Sequence, residues 1–156
     1  MELWRAFRRR APGRVLRVVA IICVLGGTCA ATALATEYTS SDAYFSGDGY
    51  NYYNFSQISN SAGDDSAYST SSHVNNGGLP ANYLGVQARG YEASGGLCKE
   101  SNYAYTLSGS IEVQQSATYL GDACGFQYFY SQGVSAAYNG SGYSYYYTNA
   151  TQQLYP

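Results

Sequence analysis

Apolar and polar positions alternate most clearly in the C-terminal half of this chain. In "NYLGVQARGYE", Leu84, Val86 and Ala88 alternate with Gly85, Gln87 and Arg89, the period-2 pattern of a half-buried strand. "SGG" turns the chain and "LCKESNYAYTL" resumes it. "SIEVQQSATYL" again alternates, with Ile111 and Val113 on one face and Glu112 and Gln114 on the other. "FQYFYSQ" predicts a strand with Phe126, Tyr128 and Tyr130 on one side, and "GVSAAY" groups Val134, Ala136 and Tyr138. "NGSG" is a hairpin signal. The returning strand "YSYYYTN" carries Tyr143, Tyr145 and Tyr147 on one side and Tyr146 on the other. These are about six short strands with closely spaced turns, the rhythm of a sandwich or small barrel.

The segment before them is more polar. "DAYFSGDGYNYYNFSQI" predicts a β-hairpin. "SNSAGDDSAYSTSSHVNNGGLP" is rich in Ser, Asn, Gly and Asp and reads as a long loop or poorly ordered stretch. "NNGGLP" is the best boundary candidate. The expected division is a polar segment with a hairpin over 36–80 and a β core over 81–156. One phrase is written twice, "GDGYNYYN" at 47–54 and "GSGYSYYY" at 140–147. Each is a Gly-polar-Gly turn followed by an aromatic strand.

Composition supports the β assignment. After residue 35, Ile, Leu, Val and Phe supply 16 of 121 residues, a level at which disorder is the default reading. All 19 tyrosines lie in the same 121 residues. Each can bury a large ring provided its hydroxyl finds a partner, and tyrosine favours strands. No stretch sustains a helical period. The expected fold is all-β, a small antiparallel β-sandwich or barrel.

The first 35 residues differ. Six arginines (Arg5, Arg8, Arg9, Arg10, Arg14, Arg17) precede the apolar run "VVAIICVL" and the small-residue stretch "GGTCAATALA". This is the plan of a helical secretory signal peptide, with Ala33-Leu34-Ala35 as the cleavage element. The chain is therefore expected to be secreted, with cleavage after Ala35. An uncleaved leader would be its one route to a membrane.

Charge excludes some partners. Beyond residue 35, nine acids stand against Arg89 and Lys99, leaving a net charge of −7. Nucleic acid is excluded as a partner, because it needs a basic footprint. Cys98 and Cys124 form an even pair in an exported chain, which reads as one disulfide. With a single distant histidine they do not make a zinc site, and no cofactor is expected.

Catalytic signals are thin. His73 is the only histidine and sits among serines in "STSSHVNNGG", where it reads as a solvated loop residue rather than a base. Asp64-Asp65 reads as an acidic turn rather than a glycosidase pair. Asp42, Asp48 and Asn51 could offer oxygen to calcium but lack the spacing of a calcium loop. Asn54, Asn139 and Asn149 each open an N-x-Ser/Thr sequon, a match that chance supplies readily in so Ser- and Asn-rich a chain. The expectation is a protein that is not an enzyme.

"YLGVQARGYEASGGLC" and "YFYSQGVSAAYNGSGYSYYYT" resemble small exported single-disulfide proteins of actinobacteria, over residues 81–155. That type has no assigned activity, so the resemblance implies location and a β-fold only. "GVSAAY" with its tyrosines is more distantly similar to lactococcin-type bacteriocins, small secreted β-sandwiches.

The functional expectation is a non-catalytic extracellular β-module whose tyrosines bind cell-wall or other extracellular carbohydrate. Tyrosine rings stack on apolar sugar faces while hydroxyls and amides bond the rest. The candidate ligand residues are Tyr50, Tyr52, Tyr143, Tyr145 and Tyr147. The alternatives are a bacteriocin-like antimicrobial and a self-assembling surface component.

Overall fold

Strands in this protein are set by turns that only a few residues can make. Asp48 and Gly49 both take positive φ, 45° and 81°. That is the pairing a two-residue type I′ hairpin demands. It joins β2 (Ala43–Gly47) to β3 (Tyr50–Asn60) in the register Gly47↔Tyr50 to Ala43↔Asn54. At the other repeat, Asn139 Oδ1 accepts from the N–H groups of Ser141 and Gly142, and Gly140 adopts φ 92°. This turn joins β11 (Val134–Tyr138) to β12 (Tyr143–Tyr147). Both predicted hairpins are present.

The structure, a computed structural model, describes residues 36–60, 65–120 and 124–155. The expected leader with its expected cleavage after Ala35, and Asp64, lie outside them. All regular structure among the described residues is β-strand, and every strand pairing is antiparallel. The remaining strands are β1 (Glu37–Thr39), β4 (Asp65–Val74), β5 (Leu84–Gln87), β6 (Arg89–Glu92), β7 (Leu97–Glu100), β8 (Ala104–Tyr105), β9 (Glu112–Leu120) and β10 (Phe129–Ser131). One sheet runs β3-β4-β9, with β1 and β2 both along the free side of β3. A second runs β12-β11-β5-β8, and a third β10-β6-β7. The chain passes from β5 into β6 through Ala88 and from β10 into β11 through Gln132-Gly133.

The stretch expected to be a loop is the centre of the largest sheet. β4 pairs with β3 on one side and β9 on the other along almost its whole length. Its five inward positions, Ser66, Tyr68, Thr70, Ser72 and Val74, are buried with a period of two, and Ser71 on the other face is buried as well. Three of the five are small and polar, so the alternation does not show in hydrophobicity. The polar stretch "NNGGLP" is held at its end by Leu79. Leu79 is buried and pairs with Ser110.

The interior explains how so polar a strand is buried. Apolar side chains gather in two clusters. One contains Tyr52, Val74, Leu79, Leu84, Val86, Val113 and Ala137. The other contains Ile58, Tyr68, Phe129 and Leu154. A second buried set is hydroxylic. Ser56 Oγ lies 2.8 Å from Thr148 Oγ1 and 3.2 Å from Thr70 Oγ1, and accepts from Gly133 N at 2.9 Å. Buried polar groups are tolerable when they pair in this way. Glycine makes the close approach possible: a Cβ on Gly133 would overlap Thr70, and one on Gly90 would overlap the Tyr68 ring.

Several inward and outward assignments change. β5 is buried on both faces rather than half-buried, because Tyr105 lies over Gly85 on its outer side. Ile111 precedes β9 and is exposed, while Val113 is buried. Of "FQYFYSQ", only Phe129–Ser131 is strand, and Phe129 faces inward while Phe126 and Tyr128 are exposed. The expected disulfide is present: Cys98 bonds Cys124 with Cα atoms 6.0 Å apart. Closing that loop stabilises the fold by about 3–4 kcal/mol in the chain-entropy model.

Candidate functional site

The outer face of β12-β11-β5-β8 is built of large residues at its edges and small ones between. In register across it stand Tyr145, Ala136, Gly85 and Tyr105. With no side chain on Gly85 and only a methyl on Ala136, the rings at both edges lean inward. Tyr105 meets Tyr143 at 5.5 Å between centroids, and Tyr103 meets Tyr145 at 6.4 Å. Beneath them Ala136 is fully buried. The neighbouring row is Tyr147, Val134 and Gln87, and it too buries its centre.

The tyrosines predicted from the second copy of the repeated phrase therefore share one outward face. Tyr145 and Tyr147 are 60% and 55% exposed, and Tyr143 is half-buried with its hydroxyl donating to Asn82 O at 2.7 Å. Tyr146 takes the opposite side and stacks on Phe45 at 4.4 Å.

The first copy behaves differently. Tyr52 is fully buried in the core, so its ring is closed to a ligand arriving from solvent. Tyr50 is half-buried and stands edge-on to Tyr83, at 5.9 Å and 82°. The two copies nevertheless meet. Asp48, in the first turn, lies against Gly140 in the second. Tyr83 links them, touching Tyr50 on one side and Tyr138 on the other at 4.9 Å. Tyr138 contacts Tyr143 in turn. A continuous series of ring contacts thus joins Tyr50 to the outer face.

Tyr83, Tyr103, Tyr105 and Tyr138 belong to this surface and were not singled out from sequence. The Y-x-Y of "SNYAYTL" was the available signal for Tyr103 and Tyr105. Burial raises the phenols of Tyr103 and Tyr105 above their ordinary value. Tyr83 is raised by burial and then by the negative charge and hydrogen bond of Asp48. All three stay neutral hydrogen-bonding phenols at physiological pH.

Arg89 supplies a charged anchor at the end of the face. Its Nε donates to Gln87 Oε1 at 3.0 Å and lies 3.3 Å from Glu100 Oε2. Its guanidinium sits 5.9 Å from the Tyr147 ring centroid, within cation–π range. Burial disfavours its charge, but hydrogen bonding to Tyr91 and Tyr147 and the Glu100 carboxylate outweigh that. The guanidinium is held above its ordinary value.

The other candidates fall elsewhere. His73 lies in β4, not in a loop. Its ring stacks on Tyr53 at 4.9 Å and 6°, with Phe55 beyond and Glu112 3.4 Å from Nδ1. Tyr44, Tyr53, His73 and Glu112 are direct cross-strand partners and form a row over four strands. Asp42 and Asp48 stand at opposite ends of β2, and Asp42 accepts from the Tyr44 hydroxyl. Among the described residues, no three His, Cys, Asp or Glu side chains gather as metal ligands would. Of the sequons, Asn54 is fully buried.

No protein-family model, no curated protein and no solved structure matches the chain.

Proposed function

We propose that this chain is a secreted, non-catalytic β-sandwich module that binds an uncharged extracellular polysaccharide through its outer tyrosine face. The observation that carries this reading is the exposure of Tyr145 and Tyr147 on one strand face, beside Tyr103, Tyr105 and Tyr143. Exposed rings of this kind offer flat apolar surface with polar edges, the chemistry that sugar rings require. The Arg89–Glu100 pair at one end supplies polar groups without leaving net charge. The leader and the disulfide both suit export to an oxidising compartment.

The test is retention on insoluble polysaccharides and on purified cell wall. The folded protein is retained, and Tyr145→Ala and Tyr147→Ala each reduce retention without changing the thermal midpoint. Absence of retention on every polymer tried overturns the reading. Fibres with a cross-β spacing would favour a self-assembling surface component, and growth inhibition an antimicrobial.

A further inference from the structure

The segment entering β10 is tied down twice, once covalently. The disulfide fixes Cys124, four residues before Tyr128, to Cys98 in β7. The second tie is to the C-terminal segment. Phe129 N donates to Leu154 O at 2.9 Å, and Leu154 N donates to Phe129 O at 2.8 Å. Both side chains are buried in the same cluster. In this antiparallel register Tyr128 and Tyr155 stand directly opposite each other, on the face away from Phe129 and Leu154. Cross-strand partners of this kind hold their Cβ atoms about 4.5–5.5 Å apart.

The rings are in contact, with centroids 5.4 Å apart and planes at 66°. They are 54% and 47% exposed. Every other tyrosine–tyrosine contact among the described residues includes at least one half-buried or buried ring. Here both phenols are open to an oxidant and already beside each other.

We propose that Tyr128 and Tyr155 are a site of oxidative coupling, joined into a dityrosine by a haem peroxidase and hydrogen peroxide. The peroxide accepts one hydrogen atom from each phenol and is reduced to two waters. The two phenoxyl radicals pair at their ortho carbons, forming one C–C bond. The hydrogens displaced from those carbons return to the phenolic oxygens, so both rings regain aromaticity. The chain loses two hydrogen atoms in all. The backbone bridge keeps the rings opposed through the reaction, which favours coupling within one molecule over coupling between two. The product pins the C-terminal segment beside Leu154 by a bond that thiols cannot cleave, unlike the disulfide next to it.

The experiment treats the purified, disulfide-intact chain with a haem peroxidase and hydrogen peroxide at low protein concentration. The expected product is a monomer lighter by two hydrogen atoms, with dityrosine fluorescence. Proteolysis should release a linked peptide joining Tyr128 to Tyr155 as the main cross-linked species. Tyr128→Phe and Tyr155→Phe should each abolish that peptide and most of the fluorescence. Tyr44→Phe, at a tyrosine side chain 73% exposed, should leave both unchanged. Each exchange keeps the ring and lies on the surface, so folding is preserved, which circular dichroism checks. A linked peptide that is absent or minor, or a fluorescence yield unchanged in both Phe variants, overturns the proposal.

Discussion

Asn54 reaches across the interior to Ser135, its Nδ2 donating at 2.8 Å to a hydroxyl 81 residues further along the chain. The same amide donates to the Tyr146 carbonyl at 3.2 Å. With the hydroxyls around Ser56, these bonds join β3 and β4 to β11 and to the segment after β12. They do so between the two apolar clusters, where an ordinary core would carry leucine.

Ser56 is the junction of that network, and its loss should be costly. Ser56→Ala removes the acceptor for Gly133 N and one partner each of Thr70 and Thr148. An unpaired buried donor costs about 1–3 kcal/mol. The urea midpoint is expected to fall accordingly with an unchanged slope. Ser69→Ala, on the outer face of β4, should shift it by less than about 0.5 kcal/mol.

Two glycines should separate close packing inside from close packing outside. A Cβ on Gly90 meets the Tyr68 ring, which is fully buried and walled in. Overpacking of this kind costs about 1–3 kcal/mol or more. A Cβ on Gly85 meets Tyr105 instead, a ring 37% exposed that can swing outward. Gly90→Ala should therefore lower the thermal midpoint well below that of Gly85→Ala. Gly85→Ala should act chiefly on polysaccharide retention, by displacing Tyr105.

The hairpins were legible in the sequence because Asp-Gly and Asn-Gly-Ser-Gly turns act locally. The cysteine pair was legible because only two cysteines follow residue 35. β4 was not, because three of its inward positions are Ser66, Thr70 and Ser72, and the hydrogen-bond partners of Thr70 and Ser72 lie on β3. Tyr52 and Tyr145 occupy the same place in the repeated phrase, yet one is core and the other surface. The difference is topological. β3 is a central strand whose inner face is covered, and β12 ends its sheet with those tyrosines facing out. Only tertiary packing separates the two.

Tyr52 also makes an alkaline prediction. Burial, with smaller contributions from Tyr50 and Asp48, pushes its phenol up to about 12 from the ordinary 10. Between those values the unfolded chain has lost the proton and the folded chain holds it, so the folded state binds more protons. Stability is then full below pH 10 and falls as pH rises toward 12. The buried Tyr52 hydroxyl has no hydrogen-bond partner among the described residues. Tyr52→Phe should therefore leave neutral stability unchanged or raise it by up to about 1 kcal/mol. It should also lessen the decline between pH 10 and 12, followed by circular dichroism across that window. A variant that loses stability at pH 7 and keeps the full alkaline decline would contradict this account.

Arg89 should matter to the tyrosine face through geometry more than charge. Its side chain is 21% exposed and is held by Gln87 and Glu100 while lying over the Tyr147 ring. Lysine keeps the charge but loses the planar fork and the stacking surface. Arg89→Lys should then free Tyr147 and weaken polysaccharide retention about tenfold, or about 1.4 kcal/mol. Because Arg89 acts through Tyr147, the loss should not add to that of Tyr147→Ala. The double variant should bind like the poorer single one, a coupling that a double-mutant cycle measures. Retention by stacking on an uncharged polymer should also survive raised salt, which screens charge but not ring contact. Full additivity in the cycle would mean that Arg89 contacts the polymer directly, and retention abolished by salt would mean that the polymer is charged.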